Sequence, residues 1–363
     1  MSSELVVIVT GALVGASCAL VGSFLVLRRM ALLGDAISHS VLLGIVGVFF
    51  FTGGRSALLM VLGAGAVGLL TVSLVELINR TGRVREDAAI GLVFPALFSL
   101  GVIFVSRFPS QVHLDVEHVL YGEIAYAPFY RFDLFGFDLG YRSFWMLGIM
   151  AAIDLLFVGL FYKELKLATF DPGLAAAIGF SPVLIHYGLM AAVSATTVVA
   201  FDSVGAILVV AMLIVPPATA YLLTDRLTTM LALAVGAGAG SAVGGYWLAR
   251  SIDGSIAGAM ATVAGLLFVA AFLLSPQHGL VARLLRLRRL RRVFARGLLL
   301  SHLEGQHGSA DLATLRRRFL WNARTAGAVT RGAVRDGLVR ETDGGAYTLT
   351  EQGRGAAREV AAG

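Results

Sequence analysis

The chain has 363 residues, 57% of them hydrophobic and 14% charged, with a mean hydropathy of +0.83, values that exclude an ordinary soluble globular protein and make lipid the expected solvent. Its single cysteine, Cys18, lies in an apolar run, which excludes a disulfide framework and a thiolate cluster for a soft metal. The net charge of +6 is unevenly placed: from Arg283 onward there are 16 Lys or Arg against 7 Asp or Glu, whereas the preceding part carries 13 against 16.

Apolar runs long enough to cross a hydrocarbon core, which takes about 20 residues per helix, lie near residues 5–27, 35–52, 56–78, 88–106, 143–162, 183–200, 204–223, 228–249 and 254–274. About nine spans are expected. No basic segment precedes the first run and no small-residue cleavage site interrupts it, so that span is expected to be retained. An odd count with the basic tail inside puts the N-terminus outside. The short loops then agree with the excess of cations on the inner side: Arg28 and Arg29, Arg80, Arg83 and Arg85, Lys163 and Lys166, and Arg226 fall inside, against Arg55 and Arg250 outside. The third outer connection, residues 107–142, is long and mixed in charge.

Gly34-Asp35-Ala36-Ile37-Ser38-His39-Ser40 heads the second span. A helix stacks Asp35 and His39 on one face at i, i+4, with Ser38 beside them. A carboxylate and an imidazole so placed can hold a divalent cation and still release it. The same pair is open to a plainer reading, with Asp35 as a cap in the headgroup region and His39 as a packing residue.

Residues 170–179, between the fifth and sixth spans, read as a short inner helix with Asp171 as N-cap ahead of Pro172, Ala175 within it and Gly179 as its stop. Such a helix suits the grip of a partner subunit; an ordinary interfacial loop fits the pattern as well. Pro216 and Pro217, late in the seventh span, free backbone carbonyls and imply a cavity lining or a packing kink. Asp154 lies deep in the fifth span, where structural pairing is favoured over a place in a pathway, and Glu76 and His186 are further ionisable residues near span ends. In the long outer connection His113-Leu114-Asp115-Val116-Glu117-His118 alternates as if extended, as in a docking face or solvated loop.

Together with Val26-Leu27-Arg28-Arg29-Met30 and Leu120-Tyr121-Gly122-Glu123-Ile124, these segments resemble the manganese, zinc and iron family of ABC importer permeases over roughly residues 5–275. The resemblance implies a vitamin B12-importer-like permease dimer, as homodimer or with a close paralogue. It also implies a separate ATPase subunit that holds the ATP, and an extracytoplasmic metal-binding protein that delivers manganese, zinc or iron, with no permanently bound cofactor. It assigns the metal-transit site to Asp35 and His39, with Ser38, Glu123 and Asp154 as possible secondary pathway residues, and ATPase coupling to the segment of Asp171, Ala175 and Gly179. Glu123 stands where an Asp is common in the family. The phosphate-cradling pattern G-x-x-x-x-G-K followed by Ser or Thr is absent, so the energy is expected from the partner and no enzyme activity from this chain.

The expected domains are a transmembrane permease domain over 1–280, a basic juxtamembrane linker helix over 281–294 and a small α+β domain over 295–363. In the last, helices are expected near 295–304, 310–319 and 322–338, then a hairpin of 338–342 and 346–350, then a final helix. Tyr347-Thr348-Leu349-Thr350-Glu351-Gln352-Gly353 makes this tail resemble a winged helix-turn-helix of the diphtheria-toxin-repressor kind. Arg324, Arg331 and Arg335 would then be nucleic-acid contacts, although docking on a partner is favoured over DNA. Two other readings stay open: a membrane-anchored, metal-responsive transcription regulator, which would need no coupling helix, and a secondary carrier, which would need no ATPase. Manganese is favoured as cargo because permeases carrying this kind of tail resemble manganese importers.

Overall fold

A computed structural model describes residues 2–52, 57–107, 124–134, 137–276, 278–305, 308–342 and 344–362, and divides the chain into two compact units, Met1–Gly279 and Leu280–Gly363. Among the described residues the first unit has nine helices long and apolar enough to cross a membrane. They are α1 (Ser3–Leu27), α2 (Ala31–Thr52), α3 (Ala57–Arg80), α4 (Glu86–Arg107), α5 (Arg142–Leu160), α8 (Pro182–Val204), α9 (Ala206–Leu223), α10 (Leu227–Ile252) and α11 (Ile256–Leu274), with the short α6 (Tyr162–Phe170) and α7 (Pro172–Ala177) between α5 and α8. The chain is a multi-pass membrane protein.

Local chemistry sets the helix ends. Ser2, Ser181 and Ser255 each accept a backbone N–H of the first turn, from Leu5, Leu184 and Gly258, starting α1, α8 and α11. The α1–α2 turn closes through Met30 N–H on the Leu25 carbonyl, with Arg29 at φ 62°, so only three residues separate two spans. Gly205, at φ 79°, makes the equally tight junction of α8 and α9. The two prolines do not break α9, which runs through Pro216 and Pro217 with both buried; packing on every side retains the helix despite the lost amide donors.

The long connection is more ordered than its sequence suggests. A 3-10 helix (Ile124–Phe129) leads into an antiparallel hairpin of β1 (Arg131–Leu134) and β2 (Phe137–Tyr141), with an irregular register between Arg131 and Asp133. Pairing over four and five residues leaves too short an alternation to read from the sequence alone.

α1 is the axis of the first unit and touches α5, α8, α9 and α10. Its approach to α10 is backbone on backbone: a Cβ on Gly15 would stand 2.6 Å from the Gly238 carbonyl oxygen, and the reverse substitution is as crowded. About two turns further on, Gly22 abuts the Leu213 carbonyl of α9. In lipid, where apolar exclusion from water cannot hold helices together, such contacts supply cohesion.

The second unit has its own core of Leu299, Leu300, Leu303, Leu315, Ala333, Val339, Tyr347 and Ala357. It comprises α12 (Leu280–Gly305), β3 (Ser309–Asp311), α13 (Leu312–Phe319), α14 (Ala323–Arg335), β4 (Val339–Glu341), β5 (Ala346–Leu349) and α15 (Glu351–Ala362), with an antiparallel sheet in the order β3-β5-β4. Asp311 and Asn322 cap α13 and α14, and the bonds from Thr314 hold the Asp311 carboxyl below its usual range. Two features differ from the sequence reading. The basic run and residues 295–304 form one helix, because no Gly or Pro interrupts Arg283–Arg296. Residues 309–311 pair with β5 rather than starting a helix, since Asp311 caps α13 only from that extended position.

Replacing Gly15 by Val should therefore cost several kcal/mol of membrane-protein stability, beyond the ~1–3 kcal/mol of ordinary overpacking, because the obstacle is backbone. Gly47→Ala, with nothing within 4 Å of the added carbon, is the control. Thermal unfolding in detergent should separate the two; equal midpoints would mean that the α1–α10 contact is not formed.

Candidate functional site

α2 carries the polar residues that the sequence singles out. Its helical geometry brings the Asp35 Oδ1 and His39 Nε2 atoms to 3.4 Å, with both side chains half-buried, 39% and 32% exposed respectively. The His39 ring lies between two aromatic rings of α4, tilted on Phe94 at 5.8 Å and edge-on to Phe98 at 6.0 Å. Phe94 and Phe98 are themselves one helical turn apart and flank Pro95. They fix the imidazole sideways while leaving the Asp35 carboxylate reachable. No sequence signal marks them, because an i, i+4 aromatic pair in an apolar helix is ordinary core.

Ser38 is buried, and its hydroxyl donates to the Gly34 carbonyl of its own helix at 2.9 Å, so the structure does not turn it toward the pair. Glu123 and the run His113–His118 lie outside the described residues. Among the described residues no three His, Cys, Asp or Glu side chains stand together closely enough to hold an ion. The Asp35–His39 pair thus offers two ligands, one oxygen and one nitrogen, a donor set for a borderline or hard divalent cation held loosely enough to leave.

Asp154 is fully buried where α5 packs on α1 and α8. Thr196 of α8 donates its hydroxyl to the carboxylate, 2.8 Å from Oδ2 and 3.0 Å from Oδ1, while also reaching the Ala192 carbonyl. The partner is 42 residues away in the chain, beyond the reach of any spacing argument.

α7 is capped as its sequence implies: the Asp171 Oδ1 accepts the Leu174 N–H at 2.9 Å, Pro172 takes the first turn, and Gly179 at φ 95° ends it, with Phe180 N–H on the Ala175 carbonyl. Ala175 is fully buried, whereas Leu174, Ile178 and Phe180 of the same segment are exposed. Exposed apolar side chains so placed can meet either a partner protein or the membrane surface. In the second unit Arg324, Arg331 and Arg335 are exposed along one stripe of α14, apart from its buried stripe of Ala326, Gly327, Thr330 and Ala333.

Nine apolar helices among the described residues, one of them carrying a half-exposed carboxylate–imidazole pair, define a polytopic membrane protein. Residues 4–275 match the ABC 3 transport family, and the chain belongs to that family. It is 53% identical over 286 residues to the manganese transport system membrane protein MntD of Bacillus subtilis, covering 79% of this chain and 97% of that protein. It is 48% identical over 359 residues to the zinc transport system membrane protein TroD of Treponema pallidum, covering 97% of each. Among solved structures, PsaBC from Streptococcus pneumoniae in complex with Fab superposes with a TM-score of 0.65 at 31% identity, over 79% of this chain and 96% of that one.

Thr196→Val should leave Asp154 without its donor and destabilise the α5–α8 contact by about 1–3 kcal/mol, the usual cost of an unsatisfied buried polar group. Transport per folded molecule should stay unchanged. A tenfold loss of transport at normal protein level would move Asp154 into the pathway.

Proposed function

We propose that this chain is the permease subunit of an ATP-driven importer for a divalent transition-metal ion, with Asp35 and His39 as the transit ligands. The observation that carries the reading is that pair: a carboxylate and an imidazole 3.4 Å apart inside a membrane span, half-exposed, the imidazole flanked by aromatic rings. Charged groups in a span are expensive and are kept where they handle charge. Two ligands do not complete a transition-metal shell. The remainder would come from water or from a second permease subunit across a shared pore.

Family membership supports a partner ATPase that supplies ATP hydrolysis, and α7 is the surface we assign to it. The exposed Leu174 and Ile178 would make the contact, while buried Ala175 holds α7 in place. An extracytoplasmic metal-binding protein would deliver the ion to the outer face. The positive inner loops favour an outside N-terminus and a cytoplasmic tail in the plasma membrane. The tail, read as winged-helix-like, would use the α14 arginines to dock on a partner rather than on DNA. Manganese remains our favoured cargo, in line with the name of the 53% relative, while the 48% relative, whose match extends through the tail, is named for zinc. An oxygen–nitrogen donor pair accepts either, and iron too.

Asp35→Asn keeps size but removes the charge that balances a divalent cation. It and His39→Ala should each cut uptake of radioactive manganese by at least tenfold per folded molecule, in vesicles that also hold the ATPase. The double variant should be no worse than either single one, because the two residues act as a unit. Parental uptake by Asp35→Asn would eliminate the site. Leu174→Glu addresses the second assignment: capture of the ATPase should weaken about tenfold, or ~1.4 kcal/mol, with the permease still folded. Unchanged capture would take α7 out of the contact.

A further inference from the structure

At the ends of α1, α3, α6 and α8 that the charge rule puts inside, five side chains from four elements form a chain of polar contacts that runs through Arg28. Arg28 caps the C-terminus of α1, where a cation is favoured by the helix dipole, and its side chain is partly buried. Its Nε donates to Thr169 Oγ1 at 3.1 Å, and its Nη1 lies 3.4 Å from His186 Nδ1. Arginine can only donate, so Nδ1 is the acceptor and neutral His186 carries its proton on Nε2. That nitrogen faces Glu76 Oε2 at 3.8 Å, and Arg80 holds the other Glu76 oxygen through Nη2 at 2.6 Å and Nε at 3.0 Å. Burial pushes the Arg28 pKa below its ordinary value, yet an arginine remains charged.

The two residues that Arg28 holds are the two flanks of the α7 segment. Thr169 precedes its cap Asp171 by two residues, and His186 lies in the first turns of α8, which leaves it. Arg28 itself stands at the head of α2, seven residues before Asp35. Beside the chain a cavity of about 170 Å³ is lined by Met30 and Leu33 of the α2 entry, Glu76 and His186, and Glu86 of α4. The entry to the transit helix therefore has room to move on one side and is tied to the α7 segment on the other.

We propose that Arg28 is a positioning residue that couples the α7 segment to the Asp35–His39 site: displacement of α7 is passed through Thr169 and His186 to the α1–α2 turn, and hence to the transit ligands. This rests on the permease reading above, and adds to it the residue through which hydrolysis on a partner reaches the ion. A planar fork is needed to hold both flanks at once, which a lysine ammonium cannot do.

The test uses the full chain with its ATPase in vesicles, and reads ATP hydrolysis, manganese uptake and equilibrium manganese binding. For Arg28→Gln we expect hydrolysis and manganese binding within twofold of the parent, and ions moved per ATP reduced at least tenfold. Arg28→Lys should recover less than half of that ratio. Thr169→Val, which leaves the arginine in place, should lower the ratio several-fold, and adding it to Arg28→Gln should lower it no further. A ratio within twofold of the parent in Arg28→Gln overturns the proposal, as does a parallel fall of hydrolysis, uptake and folded protein, which marks a merely structural arginine. If Arg28→Gln fails to assemble, Thr169→Val and His186→Gln decide: an unchanged ratio in both overturns it. Parental vesicles that move no ion on ATP would refute the permease reading itself, an outcome distinct from a normal parent with a normal variant.

Discussion

The fold depends on how closely α1 can be approached. In water a bundle gains by hiding apolar surface, but a bundle in lipid gains nothing from that exchange and must find its cohesion in contact. At Gly15 and Gly22 the backbone of α1 meets the backbones of α10 and α9 with no side chain between. α1 is thereby the most enclosed of the spans, and the helices that pack on it are fixed in their turn. The same closeness accounts for the small polar residues around it. Thr10 meets the Ser143 hydroxyl at 3.3 Å, and Ser23 donates to the Ala19 carbonyl of its own helix, so that these two buried hydroxyls find partners within the protein.

Against that rigid axis α2 is held differently. Its first turn is joined to α1 by three residues, its far side lies along α3 through the Thr71–Ser40 hydroxyl contact at 2.8 Å, and His39 of its polar pair faces the aromatic rings of α4. On this helix Asp35 and His39 stay half-exposed although the residues around them are packed. Asp154 illustrates the contrast, since its carboxylate is fully buried and bonded to a hydroxyl of α8.

Much of this was legible in the sequence because lipid imposes a simple rule. The nine spans stood out as apolar runs, and their ends in the structure fall within a few residues of those runs, for no other element satisfies a backbone in hydrocarbon. Capping chemistry marked α7 and α14 equally clearly, through Asp171 with Pro172 and through Asn322. What stayed hidden depends on contacts between distant positions. Nothing near Asp154 announces Thr196, nothing near His39 announces Phe94, and the pairing of Arg28 with Thr169 spans 141 residues. The β1–β2 hairpin and β3 were missed for another reason: strands of three to five residues carry too little alternation to be told from loop.

Burial also changes which residue of a motif can act. From the sequence, Asp171 and Gly179 mark the two ends of one short helix and Ala175 lies within it. In the structure they divide by role: Asp171 satisfies an orphan amide, Gly179 adopts a backbone angle that favours glycine, and Ala175 fills the space beneath the helix. Ala175 alone of the three is buried, while Asp171 and Gly179 are exposed positions that set the two ends of the helix. The exposed apolar side chains of the segment are Leu174, Ile178 and Phe180, residues with no distinguishing type, turned outward only by the course of the backbone. A motif can therefore mark the scaffold of a helix while the apolar side chains left exposed on it are its unremarkable neighbours. The distinction becomes visible only when exposure is known.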